Sequence, residues 1–192
     1  MPGRKPSLRP YDARSLERSA LRYVERFATT RGKLADYLTR KLRERGWAED
    51  TAPPVEALVE RFADLGYIDD RAWGEAKAAS MARRGLGARR VRQTLGAAGI
   101  AGEDLVAIDD DVVAGGTLDS AVAFARRKRI GPFGPPLEDR AAIERQVGQM
   151  VRAGHSPMLA RRIASLTLES LEPASRFEDA DDVALRLIRS LS

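Results

Sequence analysis

Leucine, valine and alanine recur along this chain at intervals of three and four, with polar residues between. That spacing puts apolar side chains on one face of an α-helix. From Ser15 the pattern runs through Leu16, Ala20, Tyr23, Val24, Phe27 and Ala28. Thr30 is a natural cap for a second helix carrying Leu34, Leu38 and Leu42 and stopping at Gly46. Pro53-Pro54 suits the first turn of a third helix, where missing N–H groups cost little. That helix shows Val55, Leu58, Val59, Phe62 and Leu65 on one face and ends at Gly66.

The same unit returns twice. Helices end on Gly46, Gly99 and Gly154, 53 and 55 residues apart. Four residues before each glycine stands a large apolar side chain (Leu42, Leu95, Met150), and eleven before stands Ala35, Ala88 or Ile143. A recurrence of this length marks a structural repeat, which builds a surface for gripping a partner rather than a pocket for chemistry. The match is imperfect in the third unit, where Gln146 stands in place of Leu38 and Val91, and where Gly131–Pro136 is an insertion without counterpart. No stretch alternates long enough to demand a strand. The predicted fold is all-α, with tandem three-helix repeats forming an elongated, curved array. Its divisions are a flexible basic arm (1–12), repeats at 13–68, 69–116 and 117–170, and an acidic C-terminal tail with a short helix (171–192). Ser156-Pro157 should start a helix reaching Leu168, and Val183, Leu187 and Leu191 form a last apolar stripe.

The corner between the first two units is well specified locally. Gly66 supplies a left-handed position after the helix, and Asp69 can cap the next one. Ile68 and Trp73 then occupy the positions of a hydrophobic staple, Asp70 complements the helix dipole, and Tyr67 completes the motif. Adjacent carboxylates at a helix start point different ways, so this pair reads as a rigid corner and not as an acid/base couple.

Charge changes the picture more than hydropathy does. The net charge of +5 conceals blocks. Lys77, Arg83, Arg84, Arg89, Arg90 and Arg92 lie in a stretch with no acid; Glu103 to Asp119 is acidic with no base; Arg126, Arg127, Lys128 and Arg129 reverse the sign again. Two readings stand. Either the acidic helix of the second unit pairs with its basic neighbours, or a basic stripe faces a polyanion or an acidic protein groove. Gly85 and Gly87 beside the cluster would bring backbone amides near a phosphate at a helix start, a weak signal without a Walker lysine.

Little points to catalysis. The chain has one histidine, His155, at a helix break where a turn residue is expected, and no cysteine, which also suits a reducing cytoplasm. Nucleophile-elbow, P-loop and dinucleotide fingerprints are absent. No cofactor, metal or membrane partner is expected. The Arg cluster lacks interleaved aromatics, so base-specific reading is not expected there.

Three segments carry a family likeness: Ala20-Leu21-Arg22-Tyr23 through Gly46, Gly66-Tyr67-Ile68-Asp69-Asp70-Arg71-Ala72-Trp73, and Arg84-Gly85-Leu86-Gly87-Ala88-Arg89-Arg90-Val91 through Gly99-Ile100. In that order they resemble the RecX family of regulatory proteins, over roughly Ser15 to Ser165. The resemblance implies tandem three-helix units that lodge in the groove of the RecA recombinase filament on DNA. It implies suppression of RecA ATPase, strand exchange and co-protease activity, without enzymatic activity of its own. Trp73 stands where the family has Phe. The alternative is a helical protein that binds single- or double-stranded DNA backbones directly, without sequence specificity, through the basic stripe; under either reading a monomer is expected.

Overall fold

The structure is a computed structural model that describes residues 9–137 and 139–166. Residues 1–8 of the expected arm and the acidic tail with Val183, Leu187 and Leu191 lie outside the described residues, as does Leu168; the helix expected to reach Leu168 ends at Ala164, before a turn at Ser165.

Nine α-helices are described: α1 (Ala13–Arg26), α2 (Arg31–Arg45), α3 (Val55–Asp64), α4 (Asp70–Arg83), α5 (Ala88–Ala97), α6 (Gly102–Ile108), α7 (Thr117–Lys128), α8 (Arg140–Ala153) and α9 (Pro157–Ala164). A π-helical turn, Asp109–Ala114, continues α6, and a 3-10 turn spans Gly131–Phe133. Among the described residues the extended pairing is one isolated bridge, Tyr11 to Trp47. The chain is an all-α tandem array of three-helix repeats.

Local chemistry sets the helix ends. Asp12 accepts from the Ser15 amide at 2.7 Å while the Asp12 amide donates to Ser15 Oγ at 3.0 Å, a reciprocal capping box. Thr30, Asp69, Asp139 and Ser156 cap α2, α4, α8 and α9 through their side chains. α3 begins one residue after the expected proline pair, because Pro54 itself occupies the cap.

Each triplet encloses its own apolar core. Leu16, Ala20, Leu34, Leu38, Leu58, Val59, Phe62 and Ile68 form the first. Ala78, Met81, Val91, Leu95, Ile100, Ile108 and Val113 form the second, and Ala121, Phe124, Ile130, Val147, Met150 and Ile163 the third. Leu86 packs against both the second and the third. Burying a leucine or isoleucine contributes about 1.5–3 kcal/mol, and these residues supply the apolar burial of each triplet.

Part of the expected arm is fixed. Tyr11 is buried in the first core, and its amide donates to the Gly46 carbonyl at 2.9 Å while the Ala48 amide donates to Tyr11 O at 2.8 Å. Arg45 lies over the Tyr11 ring and donates twice to the Arg9 carbonyl. The two departures in the third unit compensate each other: Gln146 Oε1 accepts from the Gly131 amide at 3.1 Å, so the polar residue that breaks the repeat holds the insertion in place.

Candidate interaction surface

The units meet through one recurring joint. The start of a middle helix abuts the C-terminal end of the next unit's middle helix. At the first joint Thr30 Oγ1 donates to the Ala98 carbonyl, and Gly32 lies against Gly99 so closely that a Cβ on Gly32 would stand 2.7 Å from Gly99 Cα. At the second, the Gly87 amide donates to Ala153 O at 3.0 Å and the Arg89 amide to Gly154 O at 3.2 Å. Gly154 turns there with φ +102°, a region a side chain rarely adopts. Pro10 and Tyr11 occupy the equivalent end of α2 at Gly46. The three recurrent glycines are therefore helix ends and docking sockets at once.

The corner residues divide between these tasks. Gly66 has φ +78°, and Asp69 Oδ1 accepts from the Ala72 amide at 2.8 Å. Asp70 does more than complement a dipole. It is buried at 6% exposure and accepts from the Arg31 amide at 2.8 Å and from Arg31 Nη1 at 3.4 Å, which ties the start of α2 to the start of α4. The two members of the expected staple go to different cores. Ile68 is buried in the first, whereas Trp73 packs on the second with the Lys33 ammonium 3.7 Å from its ring centroid. Burial, and then the charge of Lys77, holds Lys33 below the ordinary lysine pKa. Tyr67 stays half exposed against Phe62.

Gly85 and Gly87 are buried at the second joint. A Cβ on Gly85 would meet Phe124 backbone at 2.7 Å; one on Gly87 would meet Gly154 and His155 backbone at 2.4 Å. The amides of Gly87 and Arg89 are spent on Ala153 and Gly154 carbonyls, so these glycines serve packing and the phosphate reading finds no support here. His155, expected to be a turn residue, is buried in the same joint. Its Nε2 lies 3.2 Å from Gly85 O, its ring packs against Phe124, and its Nδ1 has no partner among the described residues. Burial lowers its pKa, opposed in part by the Gly85 hydrogen bond.

The structure places the ten basic residues of the expected stripe in different settings. Arg92 forms a bidentate pair with Asp109 at 2.5 and 2.8 Å, the intramolecular arrangement that the charge blocks allowed. Arg89 Nη2 donates to Val151 O at 2.7 Å, and Arg127 donates to Arg84 O while lying over Phe124, so both brace the second joint. Arg126 lies over Phe133. Arg83, Arg84, Arg90, Lys128 and Arg129 are exposed without a carboxylate partner among the described residues, and Lys77 sits half-buried beside Lys33. Arg89 and Arg90 join Arg152, which the sequence pattern did not single out, around a notch of about 420 Å³ lined also by Gln93 and Gly154. Arg152 lies 62 residues from Arg90 in the chain; only the joint brings them together.

Glycine-locked helical triplets with cations exposed at their joints define an all-α repeat protein. No family model matches the chain. It is 31% identical to regulatory protein RecX of Myxococcus xanthus over 77% of this chain and 83% of that one. With regulatory protein RecX of Thermobifida fusca identity is 30% over 78% and 77%, and with that of Agrobacterium fabrum 30% over 80% and 84%. A crystal structure of regulatory protein RecX superposes with a TM-score of 0.58 at 19% identity, covering 76% of this chain and 68% of that one. The chain belongs to the RecX family of regulatory proteins.

Proposed function

We propose that this chain regulates RecA by lying along the RecA filament on DNA and restraining its ATPase, strand-exchange and co-protease activities. The observation that carries the reading is the joint. Triplets fixed backbone to backbone hold Arg83, Arg84, Arg90, Arg152, Lys128 and Arg129 in set relative positions, so modest contacts on successive filament subunits add without a large ordering cost. A regulator seated across subunits resists the motion between them that ATP turnover needs. It acts as a non-enzymatic monomer in the cytoplasm, in recombinational DNA repair and the SOS response. No described helix is long and apolar enough to cross a membrane.

The test is DNA-dependent ATP hydrolysis by RecA while the purified chain is titrated in, with DNA-only binding measured alongside. Falling hydrolysis at concentrations below those needed for DNA binding supports the reading. Unchanged hydrolysis and filament length at saturation would refute it. The second reading, direct DNA binding through the exposed cations, predicts inhibition that tracks DNA occupancy and is lost with salt at a slope set by the number of phosphates contacted.

A further inference from the structure

The basic stripe of the second and third units leaves out a group of cations in the first. Arg14, Arg18, Arg22 and Arg26 recur every fourth residue along α1, and all four are exposed. They form one continuous ridge, with about 6 Å of rise between successive members. Like charges at this spacing destabilise a helix, and no described carboxylate forms an ion pair with any of them. Glu17, on the same helix, is engaged by Arg61 instead.

The ridge runs into an aromatic groove. Arg22 and Arg26 line it together with Tyr23, Phe27, Tyr37 and Arg40, around about 460 Å³. Tyr23 and Tyr37 are stacked, with ring centroids 4.3 Å apart, and Phe27 lies 5.4 Å from Tyr23. Phe27 is 48% exposed, far more than a core phenylalanine needs. Arg26 lies over the Phe27 ring at 5.3 Å and Arg40 over that of Tyr37 at 5.8 Å. Ser19 Oγ, 3.0 Å from the Tyr37 hydroxyl, fixes that ring. Among the described residues, the groove's ion pair is Arg40 with Glu44 at 3.9 Å.

We infer that α1 and this groove bind single-stranded nucleic acid, its phosphates tracking the arginine ridge and an unpaired base stacking on Phe27 beside the tyrosine pair. Each feature answers a different part of that ligand. Regularly spaced guanidinium groups match a polyanion, and an exposed ring flanked by cations matches the face of a base. A duplex offers phosphates but keeps its base faces stacked, and an acidic peptide leaves the rings idle. This is the interleaving of arginine with aromatic residues that the stripe of the second unit lacks, on a different unit of the array.

The experiment uses the full chain without RecA, so its outcome is independent of the filament reading. Fluorescence anisotropy compares an oligothymidylate, an abasic oligonucleotide of the same length, and a duplex. The wild type should bind oligothymidylate about tenfold more tightly than the abasic strand, the effect of one stacked base. Phe27→Ala should abolish that gap and leave duplex binding unchanged. Phe27→Leu, which keeps apolar bulk, should do the same and guards against a folding defect. The double variant Arg22→Gln/Arg26→Gln should weaken both single strands and reduce the salt slope by about 1.4. Equal binding of the thymidylate and abasic strands by wild type, a gap that survives both Phe27 substitutions, or equal losses on duplex and single strand would each overturn the proposal.

Discussion

Replacing Gly87 by alanine tests the joint directly. Gly87 has φ −77° and ψ 163°, an ordinary extended conformation for alanine, so the substitution introduces no backbone strain of its own. What it introduces is a methyl group 2.4 Å from Gly154 C and His155 N and 2.5 Å from Gly154 O. All three are backbone atoms and cannot rotate away. Ordinary contact begins near 3.4 Å, so the second and third units must separate locally by about 1 Å. The Gly87–Ala153 and Arg89–Gly154 hydrogen bonds, at 3.0 and 3.2 Å, would then stretch toward about 4 Å, beyond hydrogen-bond range. Overpacking costs about 1–3 kcal/mol and each of the two lost bonds about 1 kcal/mol, giving roughly 3–5 kcal/mol in total. Neither core is touched, so far-ultraviolet circular dichroism should be retained. Urea melting should show the loss, and hydrogen exchange should report faster exchange at the amides of Gly87 and Arg89. Gly96→Ala is the control: nothing lies within 4 Å of its Cβ, and it should stabilise by about 0.5–1 kcal/mol. A Gly87→Ala chain as stable as wild type, with both amides equally protected, would refute the account of the joint.

Asp70→Asn should destabilise by about 1–3 kcal/mol in urea melts, because the buried carboxylate that holds Arg31 is lost; a neutral result would remove Asp70 from the first joint. Asp69→Ala should cost about 1 kcal/mol as a lost cap, and unchanged stability would contradict the capping role. His155 has a folded pKa below its unfolded value near 6.5, so the unfolded chain binds the extra proton. Its contribution is fully present above pH about 6.5 and falls as pH drops through that value, by at most about 1.4 kcal/mol per unit. His155→Gln, which keeps a donor for Gly85 O, should flatten that slope in pH-dependent melts; an unaltered slope would place the effect elsewhere. Replacing Arg83, Arg84 and Arg90 together by alanine should raise the concentration needed to inhibit RecA ATPase with little change in melting temperature. If inhibition is unchanged, these cations serve neither RecA nor DNA.

Helix order, caps and triplet structure were legible because they depend on local chemistry. Thr30, Asp69 and Ser156 cap as their positions predict, and the glycine period locates the ends of the middle helices. The joints were not legible. Asp70 reaches Arg31 across 39 residues and His155 reaches Gly85 across 70, distances at which periodicity carries no information. The fate of each cation was hidden for the same reason: nothing in the run Arg89-Arg90-Val91-Arg92 distinguishes the arginine that Asp109 engages from the one left facing solvent. The ridge on α1 was readable in principle from its four-residue spacing. Its meaning depends on Tyr37 and Arg40, which α2 brings to its end.

The repeat explains why the glycines cannot drift independently. Gly99 must turn at φ +82° to end α5, and it must also lack a side chain because Gly32 Cα sits where a Cβ would point. Gly154 meets both demands at the next joint, against Gly87 O and the backbone of Arg90. One residue therefore sets the length of a helix and the angle at which the preceding unit arrives. A substitution at either position would alter local conformation and inter-unit geometry together, whereas Gly46, with only Pro10 within 4 Å of its Cβ, carries mainly the first demand. Gly46→Ala should thus cost about 1–3 kcal/mol through its backbone alone, because φ +83° with ψ 176° is a region that side chains rarely adopt. Gly99→Ala and Gly154→Ala should cost more, by the joint term worked out for Gly87. Equal losses at all three glycines would mean that the joints contribute nothing to the stability of the array.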